Sequence, residues 1–107
     1  MLEYDRQRFL ILYRSIIAIL KRPNIKIKLQ KSRKNWGATD FETIWLDPRG
    51  ELLTTLIHEV LHIIYPEEED EDYIDMLEKK ISNTLSNRQY LRLLNILHSK
   101  INPVRGK

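Results

Sequence analysis

Two histidines four residues apart, His58 and His62, flank Glu59 in the stretch LIHEVLH. On a helix, residues at i and i+4 lie side by side, with Cβ atoms roughly 5–6 Å apart, so both imidazoles can reach one ion. Glu59 lies about 100° around the helix from His58, too far to be a ligand but close enough to reach a water molecule on the metal. The spacing therefore predicts a Zn²⁺ site, with Glu59 as the general base.

The helix that carries this pattern is expected to be central and buried, because apolar residues cover most of its circumference. Its polar residues follow one line at spacings of four, three, four and three: Glu51, Thr55, His58, His62 and Tyr65. Two interpretations of the histidines remain, zinc ligands or a hydrogen-bonded pair within a core. The helical phase, the polar line and the apolar flanks favour zinc.

A catalytic zinc site has three protein ligands and an open position, so a third ligand is expected. His62 lies one turn before Pro66, and a chain that turns back sharply there returns to the level of the metal in the first turn of the next helix. This favours Glu71 as the third ligand. Glu78 lies on the same helix face two turns further on and is the second choice. His98 is a weaker candidate, as a ligand or as an oxyanion donor.

Composition limits the classes of protein that fit. The chain has 107 residues, 42% of them hydrophobic, which predicts one small domain over 1–107. It has no cysteine, which excludes disulfides and thiolate metal sites. Short apolar runs and a charged beginning predict neither a membrane span nor a signal peptide, so we expect a cytoplasmic protein. Few glycines and 31% charged residues are typical of a thermophile.

The N-terminal half is predicted to form one helix and two strands. Apolar residues at i, i+3 and i+4 indicate a helix over 2–21, which Pro23 ends. Alternating apolar and basic residues predict a strand at Ile25–Leu29, and β-branched and aromatic residues predict a second at about Ala38–Leu46. The short link between the strands predicts an antiparallel hairpin. Both tryptophans are expected in the core: Trp36 and Trp45.

The C-terminal half is predicted to be helical. Asp47-Pro48 is typical of a helix start, and the central helix then runs to about Tyr65. Asp70 is a candidate cap for the next helix, and a last helix covers about Asn87–Ser99, followed by an extended tail at about 100–107. The order α, β, β, α, α, α predicts an α+β fold. The last helix is expected to bury three leucines: Leu91, Leu94 and Leu97.

The sequence resembles the minigluzincins, very small zinc metallopeptidases of thermophilic prokaryotes. The resemblance spans nearly the whole chain, and the short tail resembles the proabylysin type. It rests on four motifs: Trp36-Gly37 before a strand, Ile44 to Pro48 leading into the helix, Leu56 to His62, and Pro66 before an acidic helix start.

The resemblance implies a backing helix, a small antiparallel sheet whose edge strand binds extended peptide, an active-site helix and a glutamate-donating helix. It implies similarity to the catalytic domains of integral-membrane metallopeptidases, without their membrane helices. It assigns His58, His62 and Glu71 to the metal and Glu59 to catalysis. It also implies a latent zymogen whose C-terminal segment blocks the cleft, within the same chain or by self-association.

The strand before the central helix also indicates a peptide or protein substrate. Such a strand, about Thr39 to Trp45, can pair with an extended peptide through its backbone and bring a carbonyl to the metal. We expect three of its residues to contact substrate: Thr39, Phe41 and Thr43. The oxyanion-stabilising residue stays open among four candidates: Tyr65, Tyr73, Tyr90 and His98.

Two other functions fit parts of the sequence. Between Lys21 and Lys34 there are seven basic and no acidic residues, a pattern that can bind nucleic acid. Its lysines alternate with apolar residues in a predicted strand, so a solvated strand face is the simpler interpretation. The second alternative is a zinc-binding scaffold or interaction module that cleaves nothing.

Overall fold

The computed structural model describes residues 2–31 and 36–101, which form four helices and a three-stranded sheet. The helices are α1 (Leu2–Leu20), α2 (Leu52–Ile64), α3 (Glu71–Thr84) and α4 (Asn87–Ile101), and the strands are β1 (Lys26–Leu29), β2 (Gly37–Thr39) and β3 (Thr43–Leu46). The predicted α+β fold class is confirmed. No helix in the described part of the chain is long and apolar enough to cross a membrane.

The sheet has the strand order β1-β3-β2, with β3 in the centre. Strand β1 pairs parallel to β3, with Lys26 beside Thr43 and Leu29 beside Leu46. Strand β2 pairs antiparallel to β3, with Gly37 beside Leu46. The sheet is therefore mixed, and the expected antiparallel pairing of the first two strands is wrong.

A tight turn explains this difference, because it divides the segment expected to be one strand. The Asp40 carboxylate accepts backbone N–H groups from Glu42 at 3.0 Å and Thr43 at 2.7 Å, and Thr39 Oγ1 accepts the N–H of Phe41 at 3.0 Å. Side chains of this kind stabilise turns by replacing backbone partners. The bond from Thr43, followed by that from Glu42, holds the pKa of Asp40 below its usual value. The resulting β2–β3 hairpin leaves the other edge of β3 to β1.

Helix α2 lies at the centre of the molecule, in contact with the other three helices and with β2 and β3. The sheet covers it with one apolar face. The most deeply buried side chains of α2 and the sheet are Leu56, Ile57, Val60, Leu61, Ile27, Ile44 and Leu46. The predicted central position of this helix agrees with the structure.

The start of α2 differs from the prediction. Its N-cap position is Glu51, not Asp47. The Asp47 carboxylate is buried and bound to its own turn: it accepts the Arg49 backbone N–H at 2.9 Å and pairs with the Arg49 guanidinium at 3.0 and 2.7 Å. A carboxylate used in this way cannot cap a helix. Asp70 does cap α3, as predicted, by accepting the N–H of Asp72 at 3.0 Å.

Helix α4 buries Leu93 and Leu97 and leaves Leu91 exposed, so the prediction for Leu91 is wrong. A spacing of three drifts away from the 3.6-residue helical period, whereas the spacing of four follows the buried face. The helix runs to Ile101, two residues beyond the expected boundary. The rest of the expected tail, 102–107, lies outside the described residues.

Two hydrogen bonds of Lys100 join the last helix to the N-terminal half of the chain. Lys100 Nζ donates to the carbonyl oxygens of Arg22 at 2.7 Å and Ile25 at 2.6 Å, which ties the end of α4 to the start of β1.

The two tryptophans differ in exposure. Trp36 is exposed rather than in the core, which corrects the prediction for this residue, and Trp45 is half-buried.

Phe41, in the β2–β3 turn, has a φ of +75°. This left-handed conformation is costly for most residues and is tolerated best by glycine and asparagine. We expect Phe41→Val to lower the free energy of unfolding by about 1–2 kcal/mol relative to Phe41→Asn, measured by urea denaturation. Both variants remove the ring, so their difference isolates the backbone. Equal stability of the two would contradict the assigned turn.

Candidate metal centre

The two histidines of α2 face the first residue of α3. The rings of His58 and His62 have centroids 4.9 Å apart, and their Nε2 atoms are 3.3 Å apart. One oxygen of Glu71 lies 3.1 Å from His58 Nε2, and the other lies 3.0 Å from His62 Nε2. The three side chains thus direct their donor atoms at one another, with one donor atom from each within 4.8 Å of the others.

The connection between α2 and α3 places Glu71 at this level. Helix α2 ends at Ile64, and Pro66 follows the C-cap residue Tyr65. The Glu68 N–H donates to the Tyr65 carbonyl at 3.1 Å, and the Glu68 carboxylate accepts the N–H of Asp70 at 3.1 Å. These local bonds reverse the chain within six residues, so the first turn of α3 returns to His62.

This group can hold a metal ion. Two imidazole nitrogens and one carboxylate oxygen are a donor set found in catalytic metal sites, with a remaining position open. The three side chains line a cavity of about 680 Å³, and among the described residues no lysine or arginine lines it. A closed hydrogen-bonded histidine pair inside a core would not border such a space.

Two further carboxylates contact the opposite side of the His58 ring. Asp75 Oδ1 lies 3.1 Å and Glu78 Oε1 lies 3.4 Å from His58 Nδ1. A proton on Nδ1, held by a carboxylate, leaves Nε2 free as a metal donor and fixes the ring orientation. Glu78, the second choice as third ligand, thus meets the other nitrogen of His58, whereas Glu71 meets both Nε2 atoms.

Asp75 was missed by the sequence reasoning. Its position four residues after Glu71 places it on the same face of α3, which was an available signal. His58, Asp75 and Glu78 also bring donor atoms within 4.8 Å of one another. The group with Glu71 is the stronger metal candidate because it uses both histidines.

Glu59 lies in the wall of the same cavity and is only 6% exposed. Among the described residues its carboxylate has no hydrogen-bond partner. Burial raises its pKa to about 7, an effect that His58 opposes and the charge of Glu71 reinforces. A buried carboxylate with a pKa near neutrality is suited to accept and return a proton.

Strand β2 packs directly on this carboxylate, and a glycine makes the contact possible. A Cβ atom at Gly37 would lie 2.5 Å from Thr55 Cγ2 and 3.1 Å from Glu59 Oε2. A larger residue would push the strand from the helix. Gly37 therefore allows the strand and the Glu59 carboxylate to share one wall of the cavity.

The three residues predicted to contact substrate lie in different parts of the β2–β3 hairpin. Thr39 ends β2, an edge strand, and Phe41 lies in the following turn; both line the cavity. Thr43 belongs to the central strand β3, paired on both sides, so its assignment to an edge strand is wrong. The strand edge beside the cavity is that of β2, not that of the strand directly before α2.

None of the four oxyanion candidates is among the described residues that line the cavity. Tyr65 and Tyr73 pack edge to face, with ring centroids 6.3 Å apart. Tyr90 and His98 are exposed on α4. The weaker proposal of His98 as a ligand or oxyanion donor is not supported by its position.

Comparison of the sequence with protein-family models and with curated proteins gave no match. The resemblance to the minigluzincins therefore rests on the motifs themselves and stays a prediction.

Metal titration tests the ligand set. We expect the parent chain to bind one Zn²⁺, measured by calorimetry, and Glu71→Ala to weaken binding more than about 100-fold, because it would remove the carboxylate of the candidate donor group. Asp75→Ala removes a contact to the ligand His58 and should weaken binding about 10–100-fold. The exposed neighbour Glu69 supplies a control, since Glu69→Ala should bind like the parent. Parent-like binding by Glu71→Ala would contradict this ligand set.

The buried position of Glu59 predicts a pH-dependent cost to the metal-free protein. Its pKa rises from 4.5 to about 7 on folding, so between these values the folded state holds a proton that the unfolded state releases. Stability is therefore lost as pH rises through this window. Glu59→Gln should gain stability relative to the parent between pH 5 and pH 8, in urea denaturation with chelator. A pH-independent difference, like that expected for Glu69→Gln, would refute this.

Proposed function

We propose that the chain is a zinc metallopeptidase of minigluzincin type. One observation carries the proposal: the donor atoms of His58, His62 and Glu71 and the buried Glu59 carboxylate share one cavity, which the edge strand β2 also lines. A metal site, a candidate base and a strand edge are the three parts that hydrolysis of an extended peptide requires.

The residues take the following roles in this proposal. An extended peptide pairs with the backbone of β2, which brings its scissile carbonyl beside the histidines. Zinc, when bound there, polarises the carbonyl and lowers the pKa of water. Glu59 takes the proton of the attacking water at its carboxylate and returns it to the leaving amine. Asp75 holds His58 with Nε2 directed at the metal.

Replacement of Glu59 tests catalysis separately from metal binding. We expect Glu59→Gln to lower kcat/KM on a quenched fluorescent peptide library by about 10²–10⁴-fold, the usual contribution of a general base. Zinc content should stay near that of the parent, because Glu59 contributes no donor to the ligand group. Unchanged cleavage by Glu59→Gln would refute its proposed role.

Latency is the second part of the proposal, and it rests on the resemblance of the C-terminal segment. The cut belongs after Ile101, because Lys100 binds the carbonyls of Arg22 and Ile25 and its removal would disturb the fold. We expect the chain ending at Ile101 to cleave peptides faster than the full chain. Equal rates would contradict latency. A folded, zinc-loaded shortened chain that cleaves nothing would favour the non-catalytic scaffold instead.

A further inference from the structure

The candidate metal cavity is acidic although the whole chain carries a net charge of +3. Four carboxylates line it, those of Glu59, Glu71, Asp75 and Glu78, and no lysine or arginine of the described chain does. Glu71 is assigned to the metal and Glu59 to the reaction. Asp75 and Glu78 remain, and their charge exceeds what their contacts to His58 require.

The carboxylates of Asp75 and Glu78 have more acceptor oxygens than the His58 ring has donors to offer them. The Nδ1 atom of His58 offers one N–H, and Asp75 and Glu78 both approach it, at 3.1 and 3.4 Å. Two carboxylates have four oxygens, and one N–H can satisfy only one of them well. Within the described residues, neither carboxylate forms an ion pair with lysine or arginine. Lys79 and Asp75 both line a neighbouring groove on α3, but Lys79 does not line the metal cavity.

These carboxylates are reachable from the cavity. The side chain of Asp75 is 50% exposed and that of Glu78 is 19% exposed. At 1.5 Å per residue, they follow Glu71 along α3 by about 6 and 10 Å. In an extended peptide, side chains on one face recur about every 7 Å. These distances match those of a side chain one or two residues from the scissile bond.

A second observation shows that the same cavity is suited to a ligand. Glu59 is nine-tenths buried, borders the cavity and has no hydrogen-bond partner among the described residues. Gly37 lets β2 approach the Glu59 carboxylate closely. The acidic pair thus lies in a space with a polar group directed into it, not on an open helix face.

We propose that Asp75 and Glu78 form a subsite for the cationic side chain of a lysine or arginine in the peptide substrate. The inference rests on the proposed peptidase function and specifies its substrate class. A basic side chain would supply the N–H donors that His58 alone does not. Such a charge-assisted contact adds binding that an uncharged side chain of equal length lacks.

Peptide binding to a chain with strongly reduced cleavage tests the subsite. The probes are N-acetylated peptides that differ at one position, carrying lysine, norleucine or glutamate, titrated by calorimetry into zinc-loaded Glu59→Gln. The full chain and the chain ending at Ile101 are both measured, after circular dichroism has verified their folding. We expect the lysine peptide to bind at least about 10-fold more tightly than the norleucine peptide, and less so at high salt.

An amide variant of Glu78 removes its charge while keeping an acceptor for His58, and it leaves Asp75 to position that ring. Glu78→Gln, in the Glu59→Gln background, should reduce the preference for lysine while zinc content and norleucine binding persist. The control Glu69→Gln should keep the preference. Equal binding of lysine and norleucine peptides, or no binding to either form of the chain, would overturn the subsite.

Two arms separate this inference from its alternatives. If the preference appears only with a free N-terminal amine, the pair recognises an α-ammonium group and the side-chain subsite is wrong. Cleavage by the parent without a charge preference would refute the subsite and leave the peptidase proposal standing. Lysine-dependent binding without any cleavage by the parent or by the shortened chain would refute the peptidase proposal and leave the subsite standing.

Discussion

Helix α2 buries Leu56, Ile57, Val60 and Leu61 against neighbours on most of its circumference, which leaves one polar line for the cavity. This burial constrains the rest of the molecule. Helices α1, α3 and α4 and the sheet must all surround a single helix of 13 residues. The small sheet does not form a core of its own, and its apolar face is completed by α2. A site built on such a helix is held by the whole core, which limits side-chain movement at the histidines.

Helical periodicity was sufficient to predict the parts of the site that depend on local sequence. The positions of His58 and His62 follow from i, i+4 spacing, and the approach of Glu71 follows from Pro66 and the helix after it. These elements are long and strongly periodic, so their phase determines which residues share a face. The structure brings those three side chains together.

The pairing of the strands could not be predicted, because it depends on a short turn and on which strand pairs with each edge of β3. The residues from Thr39 to Thr43 have strand propensity, yet the Asp40 carboxylate binds two backbone N–H groups that a continuous strand would use. A local turn also decided the role of Asp47, whose carboxylate binds Arg49 two residues on and not a helix end. The spacing of four from Glu71 places Asp75 on the inward face of α3, but its contact to His58 joins two helices and could not be predicted from that spacing alone.

The bonds from Lys100 to Arg22 and Ile25 span 78 and 75 residues of chain. Contacts of such long sequence separation form late in folding, since the entropy of closing the loop is lost before the contact compensates for it. During synthesis, the carbonyls just before β1 must wait until Lys100 has been added to the chain. The α2–α3 reversal that gathers the histidines and Glu71 needs no such wait. A nascent chain can therefore bring His58, His62 and Glu71 together before α4 is tied to the start of β1, so the order of synthesis separates the gathering of these side chains from the closure of the fold around them.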